Sequence, residues 1–324
     1  MKSLFDVTKI GPMILKNRFF RASVGDHNLT GAVDENMINR YTLLAAGGVG
    51  TIITGYTLVD GVEKDMGIMG MYDDSFIHGN ASLVEIVHSY GVNIIMQLVY
   101  IGSNFHARKL PPRVLSSSPV TNLRTGITPE AMSLDDIKHV VKMFAEAALR
   151  AKEAGFDGVE IHGCHGYLIN QFLSPYYNIR TDNYGGTREK RSKIVLDIYN
   201  KIRETVGDNY PIFIKVQSSD GYHGGVTQED CLYLCKELSK NGIDAIEVSG
   251  NFQDYNQDTA YFEGIADKIA LVTNVPVIVT GGNRDYLTMT KMLDTTAIDY
   301  VGLARPLIKD PNLINKFHNL YCRY

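Results

Sequence analysis

Cysteine is scarce in this sequence, and its spacing excludes several kinds of site. The 324 residues include four cysteines, Cys164, Cys231, Cys235 and Cys322, and no C-x-x-C pair occurs. A thioredoxin-type redox motif and a zinc framework are therefore not indicated. Cys231 and Cys235 lie four residues apart, on one face of a helix, and we predict a pair of buried thiols. This usage is typical of a reduced protein, and we expect a cytoplasmic location.

Long apolar runs and runs of a single charge are also missing. No segment offers about 18 unbroken apolar residues, which excludes a membrane-spanning helix. Residues 1–15 are too interrupted to form a secretory signal. The net charge of −4, without charge runs, argues against nucleic acid or an anionic membrane as a partner. With 44% hydrophobic and 21% charged residues, the composition is that of a globular protein with a sizeable core.

Strand-like and helix-like segments alternate along the chain. We predict eight strands, at residues 18–23, 50–59, 93–99, 158–163, 211–216, 245–250, 276–281 and 300–304. Most are continuous apolar runs, as expected for parallel strands covered on both faces. Three of the helices have a Ser or Thr N-cap and a terminal glycine, over residues 133–155, 187–207 and 227–242. Eight such units predict an α/β fold that closes into a (β/α)8 TIM barrel, with one domain over residues 1–324.

Two further observations bear on this fold. An open doubly wound sheet would carry a G-x-G-x-x-G fingerprint after the first strand, and "ASVGDHNLTG" has none. Residues 100–132 follow the third strand and are too long for a plain connection. We therefore prefer the barrel and interpret residues 100–132 as an active-site loop or lid.

Active sites of such barrels lie at the carboxyl ends of the strands, which identifies candidate residues. The strand ends carry Ser23 to Gly25, Tyr56, Gln97, His162 with His165, Lys215, Gly250, Gly281 with Gly282, and Arg305. The glycine pair after the seventh strand allows a close approach of the backbone to a phosphate, and Arg305 adds a cation. A tight turn without a ligand is the alternative interpretation of the glycines, but the nearby arginine favours phosphate.

His162 and His165 admit three interpretations. Two core histidines beside Tyr167 would be unusual. A metal site lacks a complete ligand set, because we expect Glu160 to point to the other face of its strand. Neutral imidazoles that donate hydrogen bonds to a carbonyl oxygen need no metal, and Tyr167 would stay protonated and donate a proton. We favour this third interpretation. Since no side chain supplies reducing equivalents, a phosphate-bearing cofactor is required.

The segment "GFDGVEIHGCHGYLINQFLSPYYNIRTDNYGG" closely resembles the signature of the Old Yellow Enzyme family of FMN-dependent NAD(P)H oxidoreductases. The segments "LKNRFFRAS", "LAAGGVGTIITG", "IIMQL", "VIVTGG" and "GLARPLIKDPNL" occur in the order and spacing of the family. The resemblance covers nearly the whole chain. It implies a TIM barrel that binds FMN and uses NADH or NADPH as co-substrate.

The resemblance also assigns roles to individual positions. His162 and His165 correspond to the carbonyl-binding pair, and Tyr167 to the proton donor. Gln97 would lie beside the flavin pyrimidine ring, and Lys215 near flavin N1 and O2. The remaining cofactor-binding positions are Ala22, Ser23, Val24, Gly25 and Tyr56 around the flavin, and Gly282, Ala304 and Arg305 around the phosphate. No metal ligand is expected.

The sequence departs from the family pattern at several positions. Gly25 stands where relatives often have threonine or cysteine, and Ala304 where glycine is usual. Larger members append an iron–sulfur cluster and further nucleotide domains, and with Cys322 as the C-terminal cysteine we expect neither. In "NIRTDNYGGTREKR" we predict a structural ion network of Arg180, Asp182, Arg188 and Arg191 that shapes a loop and caps the next helix.

The implied reaction is reduction of an activated alkene, an α,β-unsaturated carbonyl compound, or a quinone-like acceptor by a ping-pong mechanism. A metal-dependent barrel hydrolase with His162, Cys164 and His165 as ligands stays open as an alternative. So does a flavin-binding barrel with little reductase activity, because of Gly25 and Ala304. The choice between NADH and NADPH, the natural acceptor and homo-oligomer formation are left open.

Overall fold

The computed structural model describes residues 2–26, 30–106, 109–250 and 260–321. Eight parallel strands close the barrel: β1 (Phe19–Arg21), β2 (Thr51–Ile53), β3 (Asn93–Val99), β4 (Gly158–Gly163), β5 (Ile212–Gln217), β6 (Ala245–Ser249), β7 (Val277–Thr280) and β8 (Tyr300–Leu303). A ninth strand of the same sheet, Thr57–Leu58, pairs with the end of β3. Neighbours in chain order pair along the whole sheet, and β8 pairs with β1. The sheet is therefore a closed barrel, and the eight predicted strands are confirmed.

Helices lie between the strands, as the βα alternation predicts. They are α1 (Glu35–Ala46), α2 (Ser75–His88), α3 (Leu134–Glu153), α4 (Leu168–Leu173), α5 (Arg188–Val206), α6 (Gln228–Lys240), α7 (Glu263–Val272), α8 (Tyr286–Thr295), α9 (Arg305–Lys309) and α10 (Leu313–Tyr321). Ser133 and Asp136 form a capping box at the start of α3, and Thr227 and Asp230 do the same for α6. These reciprocal bonds satisfy backbone N–H groups that a helix start otherwise leaves unpaired.

The barrel interior has an apolar layer at its amino-terminal end. This layer contains Phe20, Ile53, Ile95, Phe213, Ala245, Ile278 and Tyr300, one side chain from each of seven strands. A hairpin that the sequence analysis did not predict, Thr8–Ile10 paired with Met13–Leu15, packs against this layer. Since side chains alternate along a strand, residues two positions further on also point inward. Those residues lie nearer to the carboxyl ends of the strands, where the active site is expected.

The loop over residues 100–132 lies against the carboxyl end of β4. It contains a short parallel ribbon, Leu115–Ser116 with Glu130–Ala131. Gln171 on α4 holds the loop, because its Oε1 accepts hydrogen bonds from Ser103 N and Ser116 Oγ. Asn104 Nδ2 also donates to the backbone oxygen of His165 at 3.2 Å. The described part of this loop therefore contacts the predicted site directly.

The predicted ion network exists as two separate groups. Arg180 pairs with Asp182 at 2.6 Å and donates to the backbone oxygens of Ser117 and Met132 in the loop over residues 100–132. Arg188 and Arg191 instead pair with Asp230 on α6, at 3.1 and 2.9 Å. The structural role is confirmed, but helix α5 is capped by Thr187 and not by these arginines.

The structure of the described residues also bears on the predictions about the cysteines and about membrane-spanning helices. Cys231 and Cys235 are free buried thiols on α6, as predicted, and Cys322 lies outside the described residues. Within the described ranges, no helix has the length and apolarity that a membrane span requires. The assignment of residues 1–324 to a single domain stays a prediction.

Candidate active site

A cavity of about 300 Å³ opens at the carboxyl end of the barrel. Eight predicted residues line it: Ser23, His165, Lys215, Gly250, Gly281, Gly282, Ala304 and Arg305. A second group of predicted residues, His162, Tyr167 and Tyr56, forms a ring cluster next to His165. The His162 ring centroid lies 5.3 Å from that of His165 and 4.9 Å from that of Tyr167. Strands β1, β2, β4, β5, β7 and β8 therefore bring most of the candidates to one face.

His165 lies at a strained turn directly after β4. Its φ angle is 62°, and no other non-glycine residue in the described ranges has a positive φ. Histidine rarely adopts this conformation, so the surrounding structure must hold it. The backbone N–H of His165 donates to Gln217 Oε1 at 3.0 Å, and its Nε2 lies 3.1 Å from Ser249 Oγ. The turn directs the imidazole toward the cavity beside His162.

Burial keeps both imidazoles neutral and the phenol protonated. Burial, with the positive charge of Lys215 nearby, lowers the pKa of His162 well below its usual value. Burial, with the charge of Lys215, lowers the pKa of His165 to about 3. Burial and the neighbouring Tyr56 raise the pKa of Tyr167. At neutral pH the site thus offers two uncharged N–H donors and one O–H donor.

Tyr56 explains why glycine stands at position 25. A Cβ atom on Gly25 would lie 2.9 Å from Cε1 and Oη of the Tyr56 ring, which is closer than real Cβ contacts. The Tyr56 ring centroid is 5.4 Å from that of Tyr167, so the two phenol rings pack against each other. The departure from the family pattern at Gly25 is therefore coupled to the tyrosine at the end of the second strand.

Inward-pointing polar groups form a layer beneath the cavity. Lys215 Nζ lies 2.8 Å from Glu247 Oε1, and Gln97 Nε2 donates to Glu160 Oε2 at 2.5 Å. The prediction that Glu160 points to the face opposite His162 is wrong. Residues two apart in a strand share a face, so both side chains point into the barrel.

The ends of β7 and β8 form the glycine-rich side of the cavity. Gly281 and Gly282 have φ angles of 129° and 80°, which residues other than glycine rarely adopt. Ala304 is the N-cap of α9, and the exposed Arg305 is the first residue of that helix. Lys309 follows one turn later and also lines the cavity. Backbone N–H groups with two cations suit a phosphate group.

The chemistry of the cavity fits FMN. The buried polar atoms without a hydrogen-bond partner among the described residues include Ser23 Oγ, Gln97 Oε1 and His162 Nδ1 at the strand ends, and Thr280 Oγ1 and Asn283 Oδ1 in the cavity lining. Buried polar atoms without partners are costly, which indicates that a ligand satisfies them. Lys215 supplies a cation on the floor, and the glycine-rich side suits the phosphate. Ala22 and Val24 flank Ser23 on the segment that leads from β1 to Gly25, but of these three only Ser23 lines the cavity.

The sequence analysis missed several residues that line this cavity. They are Ser249, Tyr261, Phe262, Thr280, Asn283, Arg284, Gly302, Pro306 and Lys309. Asn283 and Arg284 directly follow the glycine pair, so the motif "TGGNRD" offered a signal for them. Tyr261 and Phe262 precede α7 and have no local motif. Contacts with Gly281 place them at the site, since Tyr261 N donates to Gly281 O at 3.0 Å and the Phe262 ring packs against Gly281.

Fold and site together define a parallel α/β barrel with a cavity at the carboxyl ends of its strands and a cluster of two imidazoles and a phenol beside it. The sequence profile of the NADH:flavin oxidoreductase / NADH oxidase family matches residues 3–321. The chain belongs to this family, and the family prediction is confirmed.

Known proteins resemble the chain over nearly all of its length. A metal reductase of Desulforamulus reducens is 34% identical over 98% of this chain, which spans 48% of that relative. The chain therefore spans about half the length of this curated relative. An NADPH dehydrogenase of Clostridium acetobutylicum is 32% identical, and the match covers 96% of this chain and 93% of the relative. A solved 2-naphthoyl-CoA reductase in complex with 2-naphthoyl-CoA has a TM-score of 0.92 at 25% identity, covering 98% of this chain and 52% of that one.

Proposed function

We propose that this protein is an FMN-dependent oxidoreductase that uses NADH or NADPH to reduce an activated alkene, such as an α,β-unsaturated carbonyl compound. The observation that carries the proposal is the cluster of two neutral imidazoles and a protonated phenol beside a cavity suited to FMN. Bound FMN supplies hydride transfer between the nicotinamide and the acceptor, which no side chain can perform.

His162 and His165 would hold the carbonyl oxygen of the acceptor. His162 Nδ1 has no partner among the described residues, and the two ring centroids are 5.3 Å apart, so an acceptor oxygen bound at His162 Nδ1 would lie near the imidazole of His165 as well. Donors fixed in place stabilise negative charge that develops on this oxygen during reduction. Ser249 and Gln217 support the geometry through their hydrogen bonds to His165. Loss of one donor typically lowers such rates by about 10²–10³.

Tyr167 would deliver the proton that completes the reduction. The phenol is buried and uncharged, and its ring lies 4.9 Å from that of His162, close to the bound carbonyl group. A carbon next to that carbonyl therefore comes within reach of the hydroxyl. Tyr56 packs against Tyr167, with the ring centroids 5.4 Å apart, and would help to orient the Tyr167 ring within the site.

Individual residues would hold FMN as the family resemblance implies. Lys215 and Gln97 suit the pyrimidine part of the ring, and the segment from Ala22 to Gly25, with Tyr56, suits its edge. Gly282, Ala304 and Arg305 suit the phosphate. Because the nicotinamide and the acceptor would use the same cavity in turn, we expect ping-pong kinetics.

The acceptor would be a small molecule, an enone, a related conjugated carbonyl or a quinone-like compound. The name of the 2-naphthoyl-CoA reductase supports a carbonyl group conjugated to a ring system as one kind of acceptor. The net charge of −4 supports the absence of a nucleic-acid or membrane partner. A cytoplasmic location agrees with the buried free thiols. Association into a homo-oligomer stays open.

A metal-dependent hydrolase is the second candidate. The possible ligand atoms of His162, Cys164 and His165 all lie within 4.8 Å of one another. The family whose profile matches residues 3–321 is instead one of flavin oxidoreductases. The oxidoreductase is therefore the better supported function.

An absorption spectrum of the purified protein tests the proposal. We expect the yellow spectrum of bound FMN, which NADH or NADPH bleaches under anaerobic conditions and an enone restores. A colourless protein that contains a stoichiometric metal would favour the hydrolase. Bound flavin that neither nicotinamide reduces would instead indicate a flavin-binding barrel with little reductase activity.

A further inference from the structure

Four polar side chains form a continuous buried row beneath the cavity. Gln97, Glu160, Lys215 and Glu247 come from the consecutive strands β3, β4, β5 and β6. Lys215 is 2% exposed and the other three are fully buried. Strand register places Gln97 opposite Glu160 and Lys215 opposite Glu247. A row of this kind must be internally satisfied, because water cannot solvate it.

The contacts connect the row from end to end. Lys215 Nζ lies 2.8 Å from Glu247 Oε1, and Glu247 and Glu160 are near enough for each carboxyl group to shift the pKa of the other. Gln97 Nε2 donates to Glu160 Oε2, and Gln97 Oε1 has no partner among the described residues. The amide of Gln97 is therefore held by its nitrogen end, with its oxygen left to accept a hydrogen bond from a ligand.

Charge balance within the row requires one proton on the carboxyl pair. Burial and the charge of Glu247 raise the pKa of Glu160 well above its usual value. Burial alone would raise the pKa of Glu247, but Lys215 and the hydrogen bonds from Glu160 and Lys215 lower it. Burial opposes the charge of Lys215, but the two carboxyl groups raise its pKa. Glu160 is thus neutral, while Glu247 and Lys215 form an ion pair.

We propose that Glu247 and Glu160 are positioning residues for the flavin, with Glu247 offsetting the charge of Lys215 and Glu160 fixing the orientation of the Gln97 amide. This inference rests on the proposed function, since it concerns the cofactor of the same site. A lysine beneath the flavin ring without a paired carboxylate would strongly stabilise negative charge on the reduced cofactor. Glu247 reduces that stabilisation and keeps the reduction potential lower than an unpaired cation would.

The test compares reduction potentials of FMN-loaded proteins. Glu160→Gln preserves shape and charge, because Glu160 is already neutral, and we expect less than about a threefold change in the reduction equilibrium. Glu247→Gln in that background removes the remaining negative charge. We expect it to favour the reduced cofactor by at least about tenfold, a rise of roughly 30 mV for a two-electron couple. The double variant is needed because Glu160 would otherwise ionise in place of Glu247.

Infrared spectroscopy supplies a measurement that survives if the double variant does not fold. The wild-type protein should show the C=O band of a protonated carboxyl group at pH 8, and Glu160→Gln should remove it. Equal potentials in the single and double variants would overturn the inference, as would a wild-type protein without this band. A protein that takes up no FMN at all would overturn the proposed function as well, whereas FMN uptake and NAD(P)H reduction with unchanged potentials would overturn this inference alone.

Discussion

His165 adopts a backbone conformation that costs free energy, and this conformation places its imidazole at the candidate site. Its φ of 62° places it in the left-handed region, where strain is on the order of 1–3 kcal/mol. Gln217 and Ser249 hold the residue, and the turn brings its ring next to that of His162. A regular turn after β4 would not place both imidazoles against one acceptor oxygen, so the strain belongs to the site.

Replacing Tyr167 by phenylalanine separates the two halves of the proposed reaction. We expect reoxidation by an enone to slow by about 10²–10⁴, because the proton donor is lost. Flavin reduction by NADH or NADPH should stay nearly unchanged, since it needs no proton from the phenol. Stopped-flow absorbance measures both steps on one sample. An equal loss in both steps would contradict the proton-donor role.

Gly25→Ala tests the coupling of Gly25 to Tyr56. The added methyl group would lie 2.9 Å from the Tyr56 ring and must displace it, at a cost of about 1–3 kcal/mol in unfolding free energy. Tyr56→Ala provides the matched background, in which the same methyl group meets no ring and should cost less than about 1 kcal/mol. Chemical denaturation of the four proteins measures the coupling, and additive effects would show that the two positions are independent.

At the level of elements, the loop after β4 is held by buried arginines. Arg191 pairs with Asp230 and donates to the backbone oxygens of Leu173 and Gly186, and its side chain is 9% exposed. Arg188 contacts the same Asp230, but its side chain is 41% exposed. The two residues thus share a partner and differ in burial. They form a natural pair for comparing buried and exposed charges on one helix.

We expect Arg191→Met to lower the unfolding free energy by roughly 3–5 kcal/mol, since it leaves a buried carboxylate and two carbonyl groups short of a donor. Arg188→Met serves as the control and should cost less than about 1 kcal/mol, because water replaces an exposed partner. Urea titration of both variants measures the difference. Similar losses would mean that the loop does not depend on the buried arginine.

The elements themselves followed closely from the sequence. The eight strand positions and the caps at Ser133, Thr187 and Thr227 agree with the structure, because apolar β-branched runs and capping residues act locally. The hairpin formed by Thr8–Ile10 and Met13–Leu15 was missed. Three-residue strands carry too little periodicity to recognise, and this pair gains its stability by packing against the barrel end.

At the scale of the whole molecule, the neutral imidazoles make stability depend on pH. The pKa of His165 is about 3 in the folded protein and about 6.5 in the unfolded chain. Between these values the unfolded chain binds more protons, so the unfolding free energy falls as the pH falls from 6.5 toward 3.

We expect His165→Asn to flatten this decline by at most about 1.4 kcal/mol per pH unit, because asparagine does not titrate and tolerates the left-handed backbone. Denaturant unfolding of both proteins between pH 4 and pH 8, roughly the range in which imidazoles titrate, measures the difference. The wild-type protein at pH 8 is the reference, because His165 is neutral there in both the folded and the unfolded state and its titration does not change the unfolding free energy. Parallel curves for the two proteins over this range would contradict a neutral buried His165.

Chain-local patterns determined the strand order, the carboxyl ends and therefore the identity of His162, His165, Tyr167 and Lys215 as site candidates. Barrel closure decided the rest, because closure sets which residues of neighbouring strands meet. It placed Glu247 against Lys215, turned Glu160 inward beside Gln97, and filled the space at Gly25 with the Tyr56 ring. Contacts between residues far apart in the chain depend on register and packing, and no local pattern in the sequence records them.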